Sequence, residues 1–155
     1  MDHTFFVHKG YQPSYNYGKD INWEYWPVKD NELRWQLHRH KWFTPMGKAY
    51  RISSDEKYAK EWVFQYIDWI KKNPLVKMEK ENFELVSAGE VKEDADNVHF
   101  AWRQLEVSNR LQDQTCQFLL FCPAEAFTPE FLTEFLVNYH RHGAYLFKNY
   151  SAEGN

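Results

Sequence analysis

The sequence predicts an all-α fold made of four helices that associate as two antiparallel pairs. Apolar and aromatic residues recur every three or four positions over long segments, which is the spacing of one helix face. Residues that cap helices stand directly before two of those segments, at Asp30 and Thr128. The chain has 155 residues, and a hydrophobic fraction of 43% is enough for one globular domain or part of one.

Residues 1–29 are predicted to form an irregular, aromatic-rich leader, because two glycines and two prolines interrupt any periodicity. Aromatic side chains at this density need cover, so we expect the leader to wrap as a strap over a surface formed by the helices. The alternative interpretation is that Trp23 and Trp26 border a groove that binds carbohydrate.

The first helix is predicted over residues 31–52, with Asp30 as its N-cap. Pro45 lies inside this range, so we expect a kink or a break there. The predicted core stripe consists of Leu33, Leu37, Trp42 and Met46.

A second face of this helix carries Arg34, His38 and Lys41, at spacings of four and three. Such a basic stripe either binds an anionic ligand or faces solvent, and the spacing alone does not decide between these two interpretations.

The second helix is predicted over residues 55–72, capped by Ser53 or Ser54. Its aromatic residues recur every three or four positions and are predicted to be core; they are Tyr58, Trp62, Tyr66 and Trp69. Residues 75–101 then form a long polar loop to which no chemistry is assigned.

The third helix is predicted over residues 102–122 and has two different halves. Arg103, Glu106 and Arg110 form a polar stripe in the first half, which either lines a cleft or forms an exposed ladder of ion pairs. The second half is nearly all apolar from residue 118 to 122, so we expect it to be buried.

The fourth helix begins with Thr128 as N-cap and Pro129 at the first helical position. Its apolar stripe is interrupted once, at Gly143, and the sequence ends shortly afterwards at a polar residue, Asn155. We therefore expect the chain to be a piece of a larger protein that ends at a functional loop.

Composition argues against several classes of function. The net charge of −3 gives no global field that would attract nucleic acid, and no nucleic-acid motif is present. No apolar run is long enough to cross a membrane.

Cys116 and Cys122 would lie on different faces of a helix, which predicts buried free thiols. We expect no metal site, because residues two apart on a helix, such as the two histidines of each His-x-His pair, point in nearly opposite directions.

Four segments of the chain are similar to the heparinase II/III family. They read NWEYW at 22–26, ELRWQLHRHKW at 32–42, WRQLEVSNR at 102–110 and NYSAEGN at 149–155. The resemblance covers most of the chain except the 75–98 region, and its motifs are long and specific.

This resemblance implies that residues 1–155 are the N-terminal part of an incomplete α/α toroid built from antiparallel helical hairpins, which a β-sandwich follows in a larger enzyme. The implied reaction is β-elimination at a hexuronic acid of an acidic polysaccharide such as heparan sulfate or heparin, without a cofactor. The implied location is the periplasm or the cell exterior. Asn155 matches the asparagine of a Gly-Asn-His motif that neutralises the uronate carboxylate in the family.

The family's proton-transferring tyrosine and histidine would lie beyond Asn155, so we expect this fragment to be inactive by itself and to self-associate through apolar faces that truncation exposes. The predicted substrate-binding residues are Trp23, Trp26, His38, Arg103, Glu106 and Arg110. The alternative function is a non-catalytic α-helical carbohydrate-binding or scaffold domain.

Overall fold

The computed structural model describes residues 2–7, 9–10, 14–28, 30–75 and 100–149. Its helices are α1 (Asn31–His38), α2 (Phe43–Ser53), α3 (Glu56–Lys72), α4 (Gln104–Phe121) and α5 (Pro129–Asn149), and its strands are β1 (Thr4–Phe5) and β2 (Tyr15–Asn16). The predicted all-α class is confirmed, because helices account for most of the described chain. Most of the predicted polar loop, and Asn155, lie outside the described residues.

The first predicted helix is two helices, and the break lies earlier than expected. Asp30 caps α1 as predicted, since its carboxylate accepts a hydrogen bond from the Glu32 amide at 2.9 Å. The helix ends after His38, and His40 takes a left-handed backbone conformation with φ of 55°. Pro45 lies in the first turn of α2, where a missing amide hydrogen costs no helical hydrogen bond.

The aromatic stripe of α3 is core, as predicted. Trp62, Tyr66 and Trp69 are each at most 2% exposed. The predicted serine cap is wrong: Asp55 caps this helix by accepting from the Lys57 amide at 3.0 Å.

The helices pack around α4. Helices α1, α2 and α5 all contact it, and α2 also contacts α3. Gly47 of α2 permits a close approach, because a Cβ there would lie 2.9 Å from the Leu120 side chain of α4. Trp62 occupies the centre of one core cluster, with its ring stacked 4.3 Å from that of Phe121.

The part of the leader that the structure describes packs against the helices, as the strap interpretation expects, whereas Trp26 is 39% exposed and the carbohydrate interpretation stays a prediction for that residue. Antiparallel β1 and β2 pair Phe5 with Tyr15. The Phe5 ring stacks 4.4 Å from Trp42, and Trp23 is 2% exposed with its indole nitrogen donating to Asp68 at 2.8 Å. This strap closes one side of the core on α1 and α3.

The burial pattern of α4 differs in part from the prediction. Glu106 and Arg110 of the polar stripe are at most 1% exposed while the Arg103 side chain is 35% exposed, and in the apolar half Phe121 is buried as predicted but Leu119 is 64% exposed. The polar face can be buried because neighbouring segments supply charged and hydrogen-bonding partners for it. Cys116 and Cys122 are free as predicted, but both are exposed.

The fourth predicted helix is α5, and its start is confirmed. Thr128 accepts a hydrogen bond from the Phe131 amide at 3.3 Å, and Pro129 is the first helical residue. The helix continues through Gly143 to Asn149. Within the described ranges, none of the helices is both long and apolar enough to span a bilayer.

Candidate functional site

Arg110 is the centre of a buried polar network between α1, α4 and α5. Its Nε donates to His142 Nε2 at 2.9 Å, and its Nη1 donates to the His38 carbonyl oxygen at 2.9 Å. The guanidinium carbon lies 4.4 Å from the centroid of the Trp69 ring, which adds a cation–π contact. Burial lowers the pKa of Arg110 to about 9, so the side chain remains charged at neutral pH.

The hydrogen bonds define the protonation of His142. Its Nδ1 lies 2.8 Å from the Asn138 carbonyl oxygen, which can only accept, so Nδ1 carries the proton. Nε2 is then free of hydrogen and accepts from Arg110. The Asn138 amide in turn donates to the Tyr66 hydroxyl at 3.0 Å, so the network extends into α3.

Three histidines surround this arginine and are held neutral. His38, His40 and His142 are at most 3% exposed, and their ring centroids lie within 6.4 Å of that of Trp69. Burial, and next to it the positive charge of Arg110, holds the pKa of each well below its usual value.

We expect the free energy of unfolding to fall as pH decreases from 7.5 to 5.5, by up to about 4 kcal/mol from these three histidines. In the folded chain they stay neutral, whereas in the unfolded chain they take up protons below about pH 6.5, so acid favours the unfolded state. Urea titrations across this range measure the loss, and most carboxylates stay ionised throughout it.

His40→Asn removes one titrating group and keeps a residue that tolerates the left-handed backbone. It should reduce the pH-dependent loss by about one third. His140→Gln, at an exposed position on α5, is the matched control substitution. A loss of the same size in His40→Asn and wild type would contradict the assignment.

Glu106 is a buried carboxylate that holds two arginines. Arg39 donates to its Oε1 through Nε at 3.2 Å and Nη2 at 2.8 Å. Arg103 donates through Nη1 to Oε2 at 3.2 Å. The carboxylate therefore fixes both guanidinium groups near the start of α4.

Arg103 is also part of an arginine–aromatic surface, which we define by Trp26, Arg34, Trp35, Phe100 and Arg103. The Arg103 guanidinium carbon lies 3.9 Å from the Trp35 ring centroid, and that of Arg34 lies 3.6 Å from Phe100. Phe100 joins the two pairs, with its ring 5.8 Å from Trp26 and 6.5 Å from Trp35.

The outer part of this surface is accessible: Trp26 is 39% exposed and the Arg103 side chain 35%. Guanidinium groups bind sulfate and carboxylate, and indole rings stack on sugars. The surface can therefore bind an acidic sugar.

The structure divides the predicted substrate-binding residues into two groups. Trp26 and Arg103 lie on the arginine–aromatic surface, with Glu106 directly beneath it. His38 and Arg110 belong to the buried network, and Trp23 belongs to the strap. Direct contact with a substrate remains a prediction for Trp26 and Arg103, whereas burial leaves the others only an indirect role in this arrangement.

Sequence reasoning missed Trp35 and Arg39. The signal was available, because Glu32, Trp35 and Arg39 recur at spacings of three and four on the side of α1 opposite its leucines. The basic stripe predicted on this helix is the neighbouring one of Arg34, His38 and Lys41. Arg34 and His38 of that stripe are buried, whereas Lys41 is 44% exposed and pairs with Asp113 at 2.7 Å, so the three residues do not form one solvated face.

Two other places are less suited to an acidic ligand. A cavity of about 700 Å³ lies between the strap and α2, but its walls are mainly apolar side chains such as Phe5, Trp42 and Met46. Over the ranges given above, no three histidine, cysteine or carboxylate side chains come together as metal ligands.

The arginine–aromatic surface and the end of α5 are adjacent. Gln104, the residue after Arg103, donates its side-chain amide to the carbonyl oxygen of Asn149 at 2.9 Å. Asn149 is the last residue of α5, so the chain that continues to Asn155 starts beside this surface.

The fold and this surface define a helical domain suited to acidic ligands. Residues 1–155 match the family model described as Heparinase II/III N-terminus, and the chain therefore belongs to that family.

Among known relatives, the chain is 71% identical over all of its 155 residues to a heparin-sulfate lyase of Bacteroides stercoris. It is 50% identical over 99% of its length to a heparin-sulfate lyase of Pedobacter heparinus. It spans 23% and 21% of those two proteins. The crystal structure of the heparan sulfate lyase HepC from Pedobacter heparinus is similar with a TM-score of 0.84 and 50% identity, covering 99% of this chain and 22% of that one.

Proposed function

We propose that this chain is the N-terminal part of a polysaccharide lyase that cleaves heparan sulfate-type polymers by β-elimination at uronic acid residues. The observation that carries the proposal is 71% identity, over the whole chain, to a heparin-sulfate lyase. In this proposal the five helices belong to an incomplete α/α toroid, and the remaining catalytic groups lie elsewhere in the full-length protein, which is periplasmic or secreted.

The reaction places a specific demand on the site. Removal of the C5 proton of a uronate adds negative charge beside a carboxylate that is already negative, so fixed hydrogen-bond donors must offset that charge. In our proposal Asn155 supplies two amide N–H donors to the carboxylate. A proton-transferring group outside this chain completes the step, and this chain by itself is inactive.

The arginine–aromatic surface fits the same role. It offers a partly exposed arginine side chain and an exposed indole, and it lies beside the last residue of α5, six residues before Asn155 in the sequence. We infer that Arg103 binds a sulfate or carboxylate of the polymer next to the cleaved linkage.

The test of the function uses the full-length protein and two polymers. Heparan sulfate should be shortened, whereas the same polymer with its uronate carboxyl groups reduced to alcohols should resist cleavage, because its C5 proton is no longer acidic enough. Binding of heparan sulfate without any shortening would instead support a non-catalytic carbohydrate-binding domain.

Arg103→Ala is expected to raise the Kd for a heparan sulfate oligosaccharide about tenfold, because one charge-assisted hydrogen bond is lost. Arg103→Lys should raise it less, since a point charge remains without the planar fork. Binding is measured by calorimetry on full-length protein that carries Asn155→Ala in every case, so that the ligand is cleaved at least about 10²-fold more slowly during the titration.

The matched control is Arg51→Ala on α2, an exposed arginine away from this surface. Its Kd should stay within about twofold of the unsubstituted protein. Equal effects of Arg103→Ala and Arg51→Ala would contradict the binding role of Arg103.

A further inference from the structure

The C-terminal half of α5 is tied to α4 at two points. In the core, His142 accepts from the Arg110 guanidinium at 2.9 Å. At the surface, the carbonyl of Asn149 accepts from the Gln104 amide at 2.9 Å. The two ties lie seven residues apart on α5, about 10.5 Å along the helix, and six residues apart on α4, about 9 Å.

Two ties at this separation restrain the helix more than one can. A single contact lets a helix pivot about it, whereas two contacts along the axis oppose sliding and rotation together. Arg110 is itself anchored, since its second nitrogen donates to the His38 carbonyl at the end of α1. The Gln104 contact also satisfies the last carbonyl of α5, a group that helix geometry leaves without a partner.

We propose that Arg110 and Gln104 are positioning residues, which hold α5 so that the chain beyond it presents Asn155 to the substrate. This inference rests on the proposed lyase function. Asn155 lies six residues beyond Asn149, a reach of at most about 20 Å, so a shift or tilt of α5 moves the start of the segment that carries it. A misplacement of about 1 Å can cost up to about 10²-fold in rate.

Substitution of Gln104 can distinguish an effect on positioning from an effect on folding. Gln104 is exposed, so Gln104→Ala should leave the melting temperature within about 2 °C of wild type. Gln112→Ala is the matched control, because Gln112 is an exposed glutamine of the same helix whose amide donates, among the residues that the structure describes, to Ser108 of α4 at 3.3 Å and to no other helix.

In the full-length protein acting on heparan sulfate, Gln104→Ala should lower kcat by about three- to tenfold and leave KM within twofold. Gln112→Ala should change neither. Hydrogen exchange of the amides in the last turn of α5 should be faster in Gln104→Ala than in Gln112→Ala.

The core tie is tested by two substitutions at His142. His142→Gln keeps an acceptor for Arg110 and should retain most of kcat, whereas His142→Leu removes it and should lower kcat at least tenfold. If His142→Leu does not fold, the comparison of Gln104→Ala with Gln112→Ala tests the positioning role.

The positioning role is contradicted if wild type is active and Gln104→Ala matches Gln112→Ala in kcat and in hydrogen exchange. A wild-type protein that binds the polymer without cleaving it overturns the proposed function, and the positioning role with it.

Discussion

Asn155→Ala in the full-length protein is expected to lower kcat on heparan sulfate by about 10²–10³-fold, the usual cost of removing one donor that stabilises developing negative charge. The proposed role requires amide N–H groups, and alanine provides none. Turnover is measured from the release of shortened chains at saturating substrate.

Two further substitutions define the effect. Asn155→Asp should be at least as damaging, because its carboxylate repels the uronate carboxylate. Asn109→Ala is the control, since within the described part of the chain the Asn109 amide donates only to the Leu105 carbonyl of its own helix, at 2.8 Å, and the kcat of this variant should match wild type. Wild-type turnover in Asn155→Ala would remove Asn155 from the mechanism.

Glu106→Gln is expected to destabilise the chain by about 3–5 kcal/mol, the usual cost of breaking a buried ion pair by removing one partner. The carboxylate is fully buried and holds Arg39 and Arg103, and a neutral amide of the same shape removes this counter-charge from both guanidinium groups, while Arg39 keeps Glu32 at 3.5 Å. Urea unfolding of this chain at pH 7.5 measures the change.

Glu134→Gln on the exposed side of α5 is the matched control and should stay within about 0.5 kcal/mol of wild type. A Glu106→Gln variant as stable as this control would show that the buried ion pairs do not stabilise the domain.

Local signals in the sequence predicted the helices well. Asp30 and Thr128 act as caps where their chemistry indicated, and the aromatic stripe of α3 is core. These features depend on residues a few positions apart, so the sequence contains them directly. The break before α2 was misplaced because it depends on the left-handed backbone conformation of His40, and the neighbouring residue types do not predict that conformation.

The candidate site was predicted only in part, because it depends on pairing between distant segments. Arg103 and Trp26 were selected, but their neighbours Trp35 and Phe100 join them only once α1 packs on α4. Spacing cannot tell an exposed polar stripe from a buried one, so the pairing of Glu106 with Arg39, 67 residues away, and of Arg110 with His142, 32 residues away, could not be foreseen.

The central claim is that the full-length protein cleaves its polymer by elimination, with this chain supplying the substrate-binding surface and Asn155. The most direct measurement follows ultraviolet absorbance while the full-length protein acts on heparan sulfate. Elimination creates a C4–C5 double bond conjugated with the uronate carboxylate, so absorbance should rise in step with chain shortening, and Asn155→Ala should suppress both. Chain shortening without a rise in absorbance would indicate hydrolysis and would contradict the account.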